Sequence, residues 1–174
     1  MRSYGILLLL GLIFAFIAFQ ARTGIFRRAN PGEPANKYVR QQMEAEQLSA
    51  RDVDLIRERY PDATVTPSGL RYVVRAPGQG EKAAHGALLR VHYTGTLLAT
   101  GAKFDSSVDR GEPYEFRVGT GAVIKGWDEA FASMRPGEKR TLIVPWWLGY
   151  GHQDMGNIPP RSTLVFEVEL LAVR

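Results

Sequence analysis

No cysteine occurs anywhere in the 174 residues, which excludes a disulfide framework, a thiolate metal site, a thiol nucleophile and a lipid-modified N-terminal cysteine. The redox compartment is therefore not written in the chain. Histidine is almost as scarce: His85, His92 and His152 stand at no ligand spacing, which argues against a zinc-type site. A Gly-x-Ser-x-Gly elbow is also missing, and without one the mere presence of Ser and His does not make a hydrolase. Internal repeats are absent. So is a concentrated basic face: the formal charge is +4, but between Pro61 and Arg174 thirteen Lys and Arg meet twelve Asp and Glu. Nucleic-acid binding calls for basic charge gathered on one side, so no nucleic-acid partner is expected.

What is present starts with an apolar run. Gly5 to Phe19 gives fifteen uncharged residues behind Arg2, a length between a signal-peptide core and a full span of about 20 residues. Signal peptidase needs small residues at two spaced positions, and the exit Ala18-Phe19-Gln20-Ala21-Arg22 offers no Ala-x-Ala. An uncleaved anchor is favoured on that ground, and residues 1–22 are expected to be a hydrophobic signal-anchor or transmembrane segment. Arg22, Arg27 and Arg28 on the far flank pull towards a cytoplasmic face under the positive-inside rule. A signal-anchor architecture pulls towards the exported side, which is the expectation taken, with the cytoplasmic face as the alternative.

Residues 23–60 read as a linker and a helical neck. Ala29-Asn30-Pro31-Gly32-Glu33-Pro34 breaks any helix, whereas Ala35 to Tyr60 has neither Gly nor Pro. Ser49-Ala50-Arg51-Asp52 resembles a capping box that starts a second helix. Val53, Ile56 and Tyr60 give that helix one apolar stripe, which has to bury. Either it packs on the domain that follows, or it serves a weak homodimer or holds a client.

Residues 61–174 form the domain proper. Thr64-Val65-Thr66 and Leu70 to Val74 flank the turn signal Pro67-Ser68-Gly69. Leu89, Val91 and Tyr93 alternate with polar residues as a half-buried strand requires, and Tyr114 to Val118, Lys139 to Val144 and Leu164 to Val168 do the same. One helix interrupts them: Ile124, Trp127, Phe131 and Met134 recur at helical spacing between Val123 and Met134, and Pro136-Gly137 stops it. Strands in excess, with short connections and a single helix, make an α+β domain with an antiparallel sheet.

Three strings then stand in order: Val91-His92-Tyr93-Thr94-Gly95, Lys103-Phe104-Asp105-Ser106-Ser107 and Val123-Ile124-Lys125-Gly126-Trp127. Tyr150-Gly151, Ile158-Pro159-Pro160 and Ser162 to Leu171 continue the series. From about Thr64 to Arg174 the chain resembles the FKBP-type peptidyl-prolyl isomerases. The resemblance implies a twisted antiparallel β half-barrel wrapped around the short helix, with proline-containing polypeptides as clients; with the apolar N-terminal run it makes a membrane-anchored single-domain form of the family the expectation, and neither cofactor nor metal is expected. It also implies a pocket walled by Tyr93, Phe104, Tyr114, Phe116, Val123, Ile124, Trp127, Tyr150, Ile158 and Phe166. Trp127 would be its floor, Tyr150 a donor to a substrate carbonyl, and Asp105 a carboxylate held in the pocket by Tyr93 and Arg110.

Such a site suits the chemistry. Amide resonance sets a barrier of about 18 to 20 kcal/mol to rotation, and X-Pro isomers exchange over tens to hundreds of seconds, roughly, without help. The planar ground state carries charge on its carbonyl oxygen that the twisted transition state loses, so an apolar pocket penalises the first more than the second. The plainer alternatives are an ordinary core tryptophan at Trp127 and a loop-capping carboxylate at Asp105 beside Ser106 and Ser107. The chain departs from the family pattern at Asn157-Ile158, where two aliphatic residues are usual, so Asn157 is expected to make the rim more polar. A low-turnover binding module that acts as a holdase or assembly factor is the competing function. Of the neighbours Trp146 and Trp147, one is expected to face the core and the other solvent or a client.

Overall fold

The computed structural model describes residues 47–174. The described residues belong to one compact unit, Glu46–Arg174. The expected anchor at residues 1–22 and most of the neck lie outside them. Among the described residues no helix is long and apolar enough to cross a membrane.

Helix α1 (Ala50–Arg59) begins where the capping signal placed it, with Ser49 Oγ accepting the Asp52 N–H at 3.0 Å. The box is not reciprocal. Asp52 points its carboxylate inward to accept from Thr163 Oγ1 at 2.8 Å, and this partner is what allows a charged residue on the buried side. The expected stripe is correspondingly rotated: Val53 is 38% exposed, whereas Ile56 is 7% and Asp52 9% exposed. Ile56 packs with Leu98, Ile143 and Val165, and Leu55 and Tyr60 close the margin. Arg59 adds a hydrogen bond to the Leu98 carbonyl at 3.0 Å.

The sheet follows, with β1 (Thr64–Val65), β2 (Arg71–Ala76), β3 (Leu88–Leu97), β4 (Lys103–Ser106), β5 (Tyr114–Arg117), β6 (Lys139–Val144) and β7 (Leu164–Val173). Their order is β1-β2-β6-β7-β3-β4, with β5 also on β3, and every pairing is antiparallel. β3 is the organising strand. Leu89 to Leu97 pair with β7, while on the other side Leu88 to Val91 meet β5 and Thr94 to Thr96 meet β4.

Helix α3 (Lys125–Phe131) lies on the inner face, shorter at both ends than the expected span. Ile124 is its N-cap, and single tight turns at Ser133 and Met134 finish it. Trp127, Phe131 and Met134 are buried as the stripe requires. Two short helical pieces accompany it: α2 (Ser107–Arg110) and the 3₁₀ turn Trp146–Leu148. The expectation of one helix thus falls short. A four-residue and a three-residue helix are too brief to show a hydrophobic period, and the signal for α2 is its cap, Ser106 Oγ accepting the Asp109 N–H at 3.2 Å.

β6 does not alternate between buried and exposed as expected; after Lys139 every residue is buried. Leu142 and Val144 face α3, and Ile143 faces α1. Arg140 is tolerated inside because Nε donates to Glu138 Oε1 at 2.6 Å, Nη1 donates to Ser133 Oγ at 2.7 Å, and the guanidinium lies 4.6 Å from the Tyr72 ring centre. A buried ion with all these partners is stabilised where a bare one would not be.

Candidate active site

Trp127 sits in the first turn of α3 and meets Tyr93 at 4.9 Å, Phe166 at 5.2 Å, Phe131 at 5.3 Å and Phe116 at 5.7 Å between ring centres. Most of these contacts are edge-to-face, the arrangement that ring quadrupoles favour. Phe104 stands edge-on to Phe166 at 5.6 Å. Both rings crowd Gly95 on β3: a Cβ there would fall 2.5 Å from the Phe104 ring and 3.0 Å from that of Phe166. Only glycine leaves room for this pair of aromatic walls.

These rings enclose a cavity of about 500 Å³, lined by Tyr93, Phe104, Asp105, Tyr114, Ala122, Val123, Ile124, Trp127, Tyr150 and Phe166. Nine of the twelve residues named from the sequence line it. Phe116 does not; it is buried behind Trp127 and stacks on Tyr114 at 5.9 Å. Ile158 is 5% exposed and belongs to the core beside the pocket. Arg110 stands outside the lining and reaches in through its hydrogen bonds. Ala122 escaped the sequence reading, for a methyl group carries no chemical signal beyond its place before Val123-Ile124.

The polar part of the site is one network. Tyr93 donates its hydroxyl to Asp105 Oδ2, Arg110 Nη1 donates to Asp105 Oδ1, and Arg110 Nη2 donates to the Tyr93 oxygen at 3.1 Å. The Ser106 N–H completes the carboxylate at 2.8 Å. Ser107, fully buried, fixes the strand behind it by accepting the Tyr93 N–H at 2.8 Å and donating to the Tyr93 carbonyl. The capping role in this turn belongs to Ser106, not Asp105.

Burial pushes the Asp105 carboxyl up, but the hydrogen bonds from Tyr93 and Arg110, the Arg110 charge and the Ser106 amide together hold it below the usual carboxylate range. Tyr93 is raised, first by burial and then by its bond to Asp105. Tyr150 is raised by burial and by the nearby Asp105 charge. Asp105 is thus an anion both of whose oxygens already accept hydrogen bonds. Among the described residues Trp127 Nε1 is a buried donor without a partner.

Asn157 lies off the lining. Its Nδ2 donates to the Phe104 carbonyl at 3.0 Å, so the side chain ties its loop to β4 and does not roughen the rim. His152 is exposed and packs on Trp146 at 4.9 Å. Trp146 is 7% exposed, with Arg161 4.7 Å from its ring centre. Trp147 is half-buried against the core and donates Nε1 to the Ser68 carbonyl at 3.0 Å.

A family model described as FKBP-type peptidyl-prolyl cis-trans isomerase matches residues 79–171. The chain belongs to that family. It is 57% identical over 93 residues to FK506-binding protein 2 of Dictyostelium discoideum, covering 53% of this chain and 69% of that protein. To the FK506-binding protein of Neisseria meningitidis serogroup B it is 54% identical over 97 residues, 55% of this chain and 88% of the other. The crystal structure of AtFKBP13 superposes with a TM-score of 0.62 at 40% identity, covering 65% of this chain and 99% of that one. Membership, relatives and fold make this a peptidyl-prolyl cis-trans isomerase acting on X-Pro bonds.

Proposed function

We propose that turnover runs in the aromatic cavity, with Trp127 as the floor for the proline ring, Tyr150 as donor to a substrate carbonyl, and Tyr93, Asp105 and Arg110 as a pre-formed polar edge. Phe104, Tyr114, Val123, Ile124 and Phe166 are the substrate-binding walls; Phe116 and Ile158 support them from behind. The observation that carries this reading is the cavity's composition: aromatic and aliphatic walls around one carboxylate that is already hydrogen-bonded. Because both Asp105 oxygens already accept hydrogen bonds from the protein, they compete less for the peptide. The apolar walls then act on the amide, and they disfavour its charge-separated planar form more than its twisted one. Among the described residues the Tyr150 hydroxyl has no protein partner, which leaves it available to orient a bound backbone. No covalent step is needed.

The test is the cis/trans exchange rate of an X-Pro peptide with Asp105→Val and Tyr150→Phe. Both are expected to fold and to lose turnover, since each removes a polar group from the cavity and neither takes a large side chain out of the packed core. If both kept full rates, the polar edge would play no part. The holdase reading rested on a polar rim at Asn157, and with that side chain bonded to Phe104 no observation favours it.

We read the whole chain as an anchor at 1–22, a linker and neck at 23–60 and the isomerase domain at 61–174. The apolar run without a cleavage pattern supports the anchor, and proline-containing folding or partly folded chains are the clients. The isomerase domain is placed on the exported side, with a cytoplasmic face as alternative, and a weak homodimer would run through the neck. Protease accessibility in intact against permeabilised cells decides the side: protection in intact cells sinks the exported placement.

A further inference from the structure

We propose that Asp128 is a positioning residue for this pocket, a carboxylate that holds the wall loop Gly119–Ile124 to the helix that carries the floor. The proposal rests on reading the cavity as the turnover site. Asp128 Oδ1 accepts the Gly119 N–H and Oδ2 accepts the Gly121 N–H, each at 2.9 Å. Both glycines have positive φ, 77° and 74°, and such turns let amides close in sequence converge on one anion. Immediately after the second bond come Ala122, Val123 and Ile124, three consecutive lining residues. Asp128 itself follows Trp127. One side chain therefore sets the distance between one wall and the floor.

Little else does this. Thr120 Oγ1 donates to the Arg117 carbonyl at 2.9 Å, which closes the turn on itself without reaching α3. Ile124, as N-cap, provides its carbonyl to Trp127 and Asp128 but makes no side-chain capping bond. Two bonds to a charged acceptor are stronger than neutral ones. Pre-set walls also matter, because a shift of about 1 Å at a positioning residue can cost roughly a hundredfold in rate.

The experiment uses the full chain with Asp128→Ala, Asp128→Asn and, as control on the same helix, Glu129→Ala, whose carboxylate bonds Ser68 instead of the loop. It reads kcat and KM for an X-Pro peptide together with hydrogen exchange at the Gly119 and Gly121 amides. In Asp128→Ala both amides should exchange faster and kcat/KM should fall about tenfold. Asp128→Asn should be intermediate, since its one oxygen keeps one amide, and Glu129→Ala should keep the parent turnover. Full kcat/KM in Asp128→Ala with fast amides overturns the proposal, as does an equal loss in Glu129→Ala. If the alanine variant does not fold, the asparagine variant decides: unchanged turnover with one freed amide counts against positioning. A parent chain without turnover would instead sink the pocket reading, and this proposal with it.

Discussion

The two faces of β6 and β7 answer opposite demands. On the inner face nineteen buried residues, several of them aromatic, pack around α3, and one end of that packing stays open as the cavity. On the outer face the buried apolar cluster among the described residues is Ile56, Leu98, Ile143 and Val165, and α1 closes it over. The inner face needs rings held at fixed angles because its surface is the site. For the outer face any well-fitting cover suffices, and nothing on it reaches the cavity lining. Stability and turnover should therefore separate: damage inside costs both, damage outside costs only the first.

The strongest break is Phe131→Ala. This ring is fully buried, 5.3 Å from Trp127 and 5.4 Å from Phe116, and truncating such a ring costs about 3 to 5 kcal/mol. Urea unfolding should show that loss, and turnover should fall along with it because the floor loses its support. Next comes Ile56→Ala on the outer face, expected to cost about 2 kcal/mol, the lower end for such a truncation, because the cluster is small and lies near the surface. Its turnover per folded molecule should match the parent. A fall in kcat in that variant would show that the faces are coupled through β6 and β7.

The difference between the faces also explains what the sequence made legible. Motifs made of large side chains located the inner face almost completely, because they carry the resemblance that implies its walls, and the stripe Ile124, Trp127, Phe131 and Met134 adds the helix. The outer face was harder to read. Its cover comes from a helix far away in the chain, and the residue that docks it, Asp52, is a charge that sequence reasoning sends to solvent; only Thr163, 111 positions later, makes its burial acceptable. The same holds for β6, where Arg140 and Thr141 point to opposite faces and both are buried polar groups whose partners, Glu138 and Glu167, only the fold supplies. At the site the misses were those of depth: Phe116 and Ile158 belong to the same aromatic and aliphatic set but stand one layer behind the surface.

A smaller effect, confined to the inner face, is the pH response. Asp105 has a folded-state pKa below its ordinary value, so the carboxylate form is the one the fold prefers. Its contribution is fully present above the unfolded carboxylate range and is lost as pH falls through the depressed folded value. Turnover should thus hold as pH descends through the ordinary carboxylate range and decline only below it. Asp105→Asn should remove that acid limb, and rate measurements across the range check it. An acid limb unchanged in the asparagine variant would assign it to another group.

Asn157 should give the smallest effect of all, and it sharpens the comparison because it lies at the edge of the inner face without joining it. As a rim residue it would repel bulky apolar ligands, and Asn157→Ile would tighten them selectively. Its Nδ2 instead donates to the Phe104 carbonyl at 3.0 Å, and the side chain is exposed and off the cavity lining. What it contributes is one neutral hydrogen bond near solvent, worth about 0.5 to 1.5 kcal/mol in general and towards the lower figure here. Isoleucine would lose that bond without adding to any wall, so the loop from Tyr150 to Ile158 would be held less firmly against β4. Both of those elements carry lining residues, and a bulky and a minimal X-Pro ligand should weaken by the same small factor. Titration of each against the parent and the variant makes the measurement. Selective tightening of the bulky ligand would put Asn157 back on the rim.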